Sequence, residues 1–131
     1  MVSFLNKDYK TDKTCIEKIL KYINDIKICL SHFRINSFNE LKNERLAQLA
    51  ITQSITNIYE VKRLINQEIL NEVSNFDNIK ISAARNIASH DYESVNFKII
   101  YDVCNKLTAN TVMEELENEY NNLWFKAFRN N

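Results

Sequence analysis

Glycine and proline are both absent from the 131 residues of this chain. Tight hairpin turns depend on glycine, and many loops depend on proline. A chain with neither is a poor candidate for a multi-stranded sheet. Helices lose less, because asparagine can take the left-handed position after a helix that glycine usually fills. An excess of one charge is absent too: 17 lysines and arginines balance 17 aspartates and glutamates. That excludes a dedicated non-specific nucleic-acid binder, which would be basic overall. Any RNA contact then has to be local and brief, or made by an assembled dimer. No apolar run approaches membrane-spanning length. The stretch Met1-Val2-Ser3-Phe4-Leu5-Asn6-Lys7-Asp8 has no apolar segment of leader length. The expectation is a cytoplasmic protein with no membrane partner. Cysteine is scarce, and Cys15, Cys29 and Cys104 stand at no metal-ligand spacing. They read as free, mostly buried thiols, with neither a metal nor another cofactor implied.

What is present is helical periodicity. Hydrophobic residues make up 45% of the chain, enough for a continuous core, and the length suits one domain over residues 1–131. Ile16, Ile19, Leu20, Ile23, Ile26, Leu30 and Phe33 recur at three-four spacing, which predicts a helix over about 12–34 with Asp12 as its cap. Ser37 followed by Glu40 has the form of a capping box. It opens a second predicted helix over about 38–72, with one apolar row through Leu41, Leu46, Leu49 and Leu64. A second row runs through Ile51, Ile55, Ile58, Val61 and Ile65, so this helix is expected to touch two neighbours. Ser74–Asn78 reads as a polar break, with Asp77 or Asn78 capping a third helix over about 78–90. A fourth helix is expected over about 96–107. A fifth is expected to be capped by Thr111 and to run through Leu123, its aromatic tail packing into the core. The fold class is all-α: an up-and-down bundle of four or five helices.

The chemistry gathers in Arg85-Asn86-Ile87-Ala88-Ser89-His90-Asp91-Tyr92. On a helix turning about 100° per residue, Tyr92 and Ser89 fall within about 40° of Arg85, Asn86 lies about 100° away and His90 about 140° away. Ser82 shares the arc of Arg85, and Ile81, Ala84, Ile87 and Ala88 are read as the side that packs on the bundle. Histidine can accept and return a proton near neutral pH. Arginine offers a planar, permanently charged fork that suits a phosphate, and Asn86 adds uncharged hydrogen-bonding capacity. These are the parts for cleaving a phosphodiester without a metal, through a ribose 2′-hydroxyl that only RNA carries. A symmetric dimer would face two such helices across a two-fold axis and double the site. Judged by residue type alone, a surface pair or a local structural bond accounts for an arginine and a histidine on one helix equally well. The other histidine, His32, sits near the end of the first predicted helix, suits the helix dipole there, and is given no chemistry.

The spacing of Arg85, Asn86, His90 and Tyr92 resembles that of HEPN domains of the HepT-like ribonuclease toxin branch. The resemblance extends through Ala50, Ile58 and Glu60 in the second predicted helix and through Val95–Val103 in the fourth, and covers roughly residues 10–120. It implies an HEPN-type bundle that forms a homodimer. It also implies a metal-independent endoribonuclease acting on an RNA substrate, with Arg85, His90 and Asn86 as catalytic residues and Ser89 in support. The implied partner is a minimal nucleotidyltransferase antitoxin that transfers AMP to Tyr92 and silences the toxin. Phosphate placed beside Arg85 would occupy the anion site that RNA needs. Two positions depart from the family pattern: Tyr59 stands where glycine is common, and Glu93 where an aromatic is common. Related HEPN proteins with a similar stretch act instead as non-catalytic, substrate-binding partners of nucleotidyltransferases, and that alternative stays open at this point.

Overall fold

Helices dominate because apolar side chains recur every three to four residues and nothing in the sequence interrupts them. The computed structural model describes the backbone at residues 2–82, 84 and 96–129, and side chains at 9–82, 84 and 96–128. Seven helices are described: α1 (Val2–His32), α2 (Phe38–Lys42), α3 (Arg45–Lys62), α4 (Gln67–Glu72), α5 (Ser74–Asp77), α6 (Phe97–Leu107) and α7 (Asn110–Arg129). Among the described residues there is no strand, and the all-α expectation holds. The backbone is also helical at Ile81, Ser82 and Ala84. The predicted third helix was expected from about residue 78, but Asn78, Ile79 and Lys80 are not helical, because Asn78 ends α5; residues 83 and 85–90 lie outside the described residues.

One apolar face organises the bundle. Ile16, Ile19, Ile23 and Ile26 of α1 are fully buried, as are Ile51, Ile55 and Ile58 of α3 and Leu116 and Leu123 of α7. Helix α1 packs against both α3 and α7, α2 packs against α6, and α5 packs against α7. Each fully buried isoleucine contributes roughly 1.5–3 kcal/mol relative to an exposed one. These faces, rather than helix propensity, therefore hold the elements together.

Several boundaries differ from the sequence reading, each for a local reason. Helix α1 begins about ten residues before the predicted start, and Asp12 lies inside it rather than at its cap. The chain leaves α1 through Arg34, whose φ of 53° is left-handed. The backbone N–H of Ile35 reaches the carbonyl of Leu30 at 2.9 Å, closing the helix end. A left-handed cap was expected of asparagine; arginine supplies it here, at a cost of roughly 1–2 kcal/mol.

The predicted second helix is three helices. The capping box is present: the Glu40 N–H donates to Ser37 Oγ at 3.3 Å, and Glu40 Oε1 accepts from the Asn36 N–H at 3.1 Å. It opens only the five residues of α2. Buried Gln48 then donates from Nε2 to the carbonyls of Leu41 and Lys42, at 2.9 and 2.8 Å, and so satisfies the C-terminal end of α2 from inside α3. The polar break at Ser74–Asn78 holds the short helix α5, with Asn78 following its end. Asn96 caps α6, its Oδ1 accepting from the N–H groups of Lys98 and Ile99. Thr111 lies one residue inside α7.

Of the two apolar rows on the predicted second helix, one is largely buried and the other is buried only at Leu41. Leu46, Leu49 and Leu64 are exposed. The aromatic tail also differs from its expected core position: Leu123 and Ala127 are buried, whereas Trp124, Phe125 and Phe128 are exposed. The reason is periodicity, since only every third or fourth residue of α7 can face α1. Among the described residues no helix is long and apolar enough to cross a membrane.

All three thiols are free and buried. Burial pushes the Cys104 thiol up to about 12, and neighbouring Cys29 adds to the effect. Burial also raises Cys15 and Cys29, and Cys29 Sγ lies 3.9 Å from the Ala47 carbonyl, to which it donates. The thiolate is the reactive form. The native protein is therefore expected to resist a thiol-reactive disulfide reagent at neutral pH, and all three cysteines are expected to react after unfolding in guanidinium. Fast native-state labelling of Cys104, mapped by peptide mass spectrometry, would contradict its place in the core.

Candidate active site

The residues singled out for chemistry, Arg85, Asn86, Ser89, His90 and Tyr92, lie outside the described residues. What is described is the ground they rise from. Ile81 and Ser82 precede Arg85 by four and three positions. They line a cleft of about 330 Å³ together with Tyr59, Lys62 and Arg63 at the end of α3 and Asp77 at the end of α5. Ser82 is the residue that the helical projection placed on the same stripe as Arg85.

The cleft is framed by charge. Lys62 Nζ pairs with Asp77 Oδ1 at 3.2 Å and donates to the Asp77 carbonyl at 3.0 Å. It also lies 5.5 Å from the centre of the Phe76 ring. Both partners are largely shielded, at 19% and 26% exposure. This pair therefore ties α3 to the end of α5 more firmly than an exposed pair would. Gln67 Nε2 donates to Asn71 Oδ1 at 2.9 Å and approaches Asp77 Oδ2 at 3.5 Å, which fixes the far side of the same carboxylate.

Arg63 differs from Lys62. Its Nη1 lies 3.4 Å from Glu60 Oε2, with both side chains well exposed, and its guanidinium sits 5.8 Å from the centre of the Tyr59 ring. An exposed pair of this kind contributes roughly 0.2–1 kcal/mol. Tyr59 and Arg63 thus bring an aromatic face and a planar cation to one rim of the cleft, and Ile65, Leu70 and Ile79 supply its apolar wall. An aromatic ring beside a cation is the surface on which a nucleobase and its phosphate are held.

A family model described as "Ribonuclease HepT-like" matches residues 13–119. The chain belongs to the HepT-like ribonuclease family. Neither a curated protein nor a solved structure matches the chain. The matched span of this HepT-like chain runs from α1 well into α7 and contains both the cleft and the Arg85–Tyr92 stretch. The departure at Tyr59 is not neutral to the site, since the side chain that replaces the usual glycine forms part of the cleft rim. Sequence reasoning missed Lys62 and Arg63 as residues of this neighbourhood. A signal was present, because Glu60, Lys62 and Arg63 are the first charged residues after Arg45. Nothing in the linear sequence, however, put those residues beside Ser82.

Proposed function

We propose that this HepT-like chain is the toxin of a toxin–antitoxin pair, a metal-independent endoribonuclease that acts as a homodimer. The observation that carries the reading is the family match over residues 13–119, which includes Arg85, Asn86, His90 and Tyr92 at the spacing of the toxin branch. In this reading His90 removes the proton from a ribose 2′-hydroxyl. The freed oxygen attacks the adjacent phosphorus and the 5′-oxygen leaves, taking up a proton. Arg85 and Asn86 hold the phosphoryl oxygens as negative charge builds on them, and Ser89 supports the same stripe. The products are a 2′,3′-cyclic phosphate and a 5′-hydroxyl.

The described cleft supports an RNA substrate, since Tyr59 and Arg63 offer stacking and a cation beside Ser82, which precedes Arg85 by three positions. The exposed leucines of α3 and the exposed aromatics of α7 are apolar surface suited to a second copy. A minimal nucleotidyltransferase silences the site by transferring AMP to Tyr92, setting a phosphodiester and its negative charge beside Arg85.

The test is a cleavage assay on the purified chain, free of metal and with chelator present. RNA is expected to be cut to cyclic-phosphate ends, and the same sequence as DNA, or with a 2′-O-methyl group at the cleaved position, is expected to survive. Co-expression with the nucleotidyltransferase is expected to stop the cleavage and to leave AMP on Tyr92 by peptide mass spectrometry. A chain that binds the nucleotidyltransferase tightly but cuts no RNA would instead be a non-catalytic subunit.

A further inference from the structure

On another part of the surface, where α4, α5 and α7 meet, the chain forms a recess of about 420 Å³ built from hydrogen-bond acceptors. Glu72, Asn75, Glu114, Glu115, Glu119 and Asn122 line it, and no lysine or arginine is among its lining residues. Glu115 is committed: its two oxygens accept from the N–H groups of Asn75 and Phe76, each at 3.2 Å, and hold the first turn of α5.

Glu119 is different. It is the buried residue of the lining, only 4% exposed, and so forms the floor. Its Oε1 is fully enclosed and has no hydrogen-bond partner among the described residues. Burial raises its pKa above the ordinary carboxylate range; Lys126 opposes that rise, and Glu72 and Asp12 add to it. A buried carboxylate oxygen without a donor costs free energy until a proton or an outside donor reaches it. The walls supply further carboxylates and the polar amides of asparagine, so the recess attracts positive charge that carries N–H groups.

We propose that this recess binds a nitrogen cation, an ammonium or guanidinium group whose N–H donors engage Glu119 at the floor and Glu72 and Glu114 on the walls. A metal ion fits less well, because among the described residues no three carboxylates, thiols or imidazoles are grouped so as to hold one. Charge-assisted N–H contacts are longer than metal–oxygen bonds and tolerate such spread acceptors. Two sources present this chemistry: a free polyamine, or a lysine or arginine side chain of a protein partner.

The full-length chain, titrated calorimetrically with spermidine, methylguanidinium and Mg²⁺ at physiological salt, tests the assignment. Binding of spermidine or methylguanidinium by the wild type is expected, with affinity lowered about tenfold or more in Glu119→Gln. That variant loses the buried charge and is expected to melt no lower than the wild type. Glu114→Gln, at an exposed position, is expected to weaken binding about threefold and gives a reading even if the first variant folds poorly. Spermidine binding at least about tenfold tighter than methylguanidinium assigns the site to a free polyamine, and comparable affinities assign it to a partner's side chain. Absence of binding by both, equal binding by the wild type and both variants, or tighter binding of Mg²⁺ would each overturn the proposal.

Discussion

His90→Ala is expected to lower the rate of RNA cleavage by about a hundredfold or more, and Arg85→Ala by a comparable factor. The two losses should differ in kind. Histidine moves a proton, and general-base catalysis contributes roughly 10²–10⁴-fold. The activity that remains in His90→Ala should therefore rise with added imidazole and lose the bell-shaped part of its pH profile. Arginine stabilises charge that develops only at the phosphorus in the transition state, so Arg85→Ala should lower kcat more than it raises KM. Arg85→Lys keeps the charge but not the fork, and should recover only part of the rate. The melting temperature of each variant, measured alongside, separates a loss of chemistry from a loss of folding. In cells the same substitutions should relieve growth arrest. Under the proposed silencing, Tyr92→Phe should remain toxic and escape it, because the hydroxyl proposed to accept AMP is gone. Unchanged cleavage in both alanine variants would remove the catalytic assignment while leaving the family membership intact.

The fold class was legible from two features: the absence of glycine and proline, and the three-four spacing that buries Ile16, Ile19, Ile23 and Ile26. The capping box at Ser37 was legible because it is satisfied within three positions of sequence; the cap at Asn96 is equally local but was not read. What escaped the sequence is long-range. The division of the predicted second helix depends on Gln48 reaching back to the carbonyls of Leu41 and Lys42, and a glutamine in a helical run carries no mark of that. The exposure of Leu46 and Leu49 depends on how many neighbours α3 meets, which periodicity alone does not encode. The candidate site divides in the same way. Its chemical stripe was readable as a pattern of residue types from Arg85 to Tyr92. Its neighbourhood required the Lys62–Asp77 pair, which spans 15 residues and brings the end of α3 to the end of α5.

Asp12 shows most sharply how a residue's role can be long-range, and its replacement is expected to have the largest effect on stability. Its side chain is 1% exposed. One carboxylate oxygen accepts from the backbone N–H of Asn66 at 3.2 Å and the other from Asn66 Nδ2 at 3.1 Å, across 54 positions of sequence. Asn66 opens α4 without a side-chain cap of its own, so Asp12 supplies from the middle of α1 the acceptor that the start of α4 lacks. Asp12→Ala removes both bonds and leaves the Asn66 donors beside an apolar methyl. Hydrogen bonds to a charged group are worth roughly 1.5–3 kcal/mol each, so a loss of about 3 kcal/mol is expected. For a domain of this size that corresponds to a fall in Tm of roughly 10 °C. Asp12→Asn keeps one acceptor and should cost about half as much. The charge of Asp12 also acts on Glu119, whose carboxyl it helps to push up. In the cycle formed by Asp12→Asn, Glu119→Gln and the double variant, each single substitution relieves the same repulsion, so the double should be less stable than the sum of the two single changes gives. Thermal unfolding at neutral pH measures all three. Strict additivity would mean that the two carboxylates do not sense each other and that Asp12 acts on α4 alone.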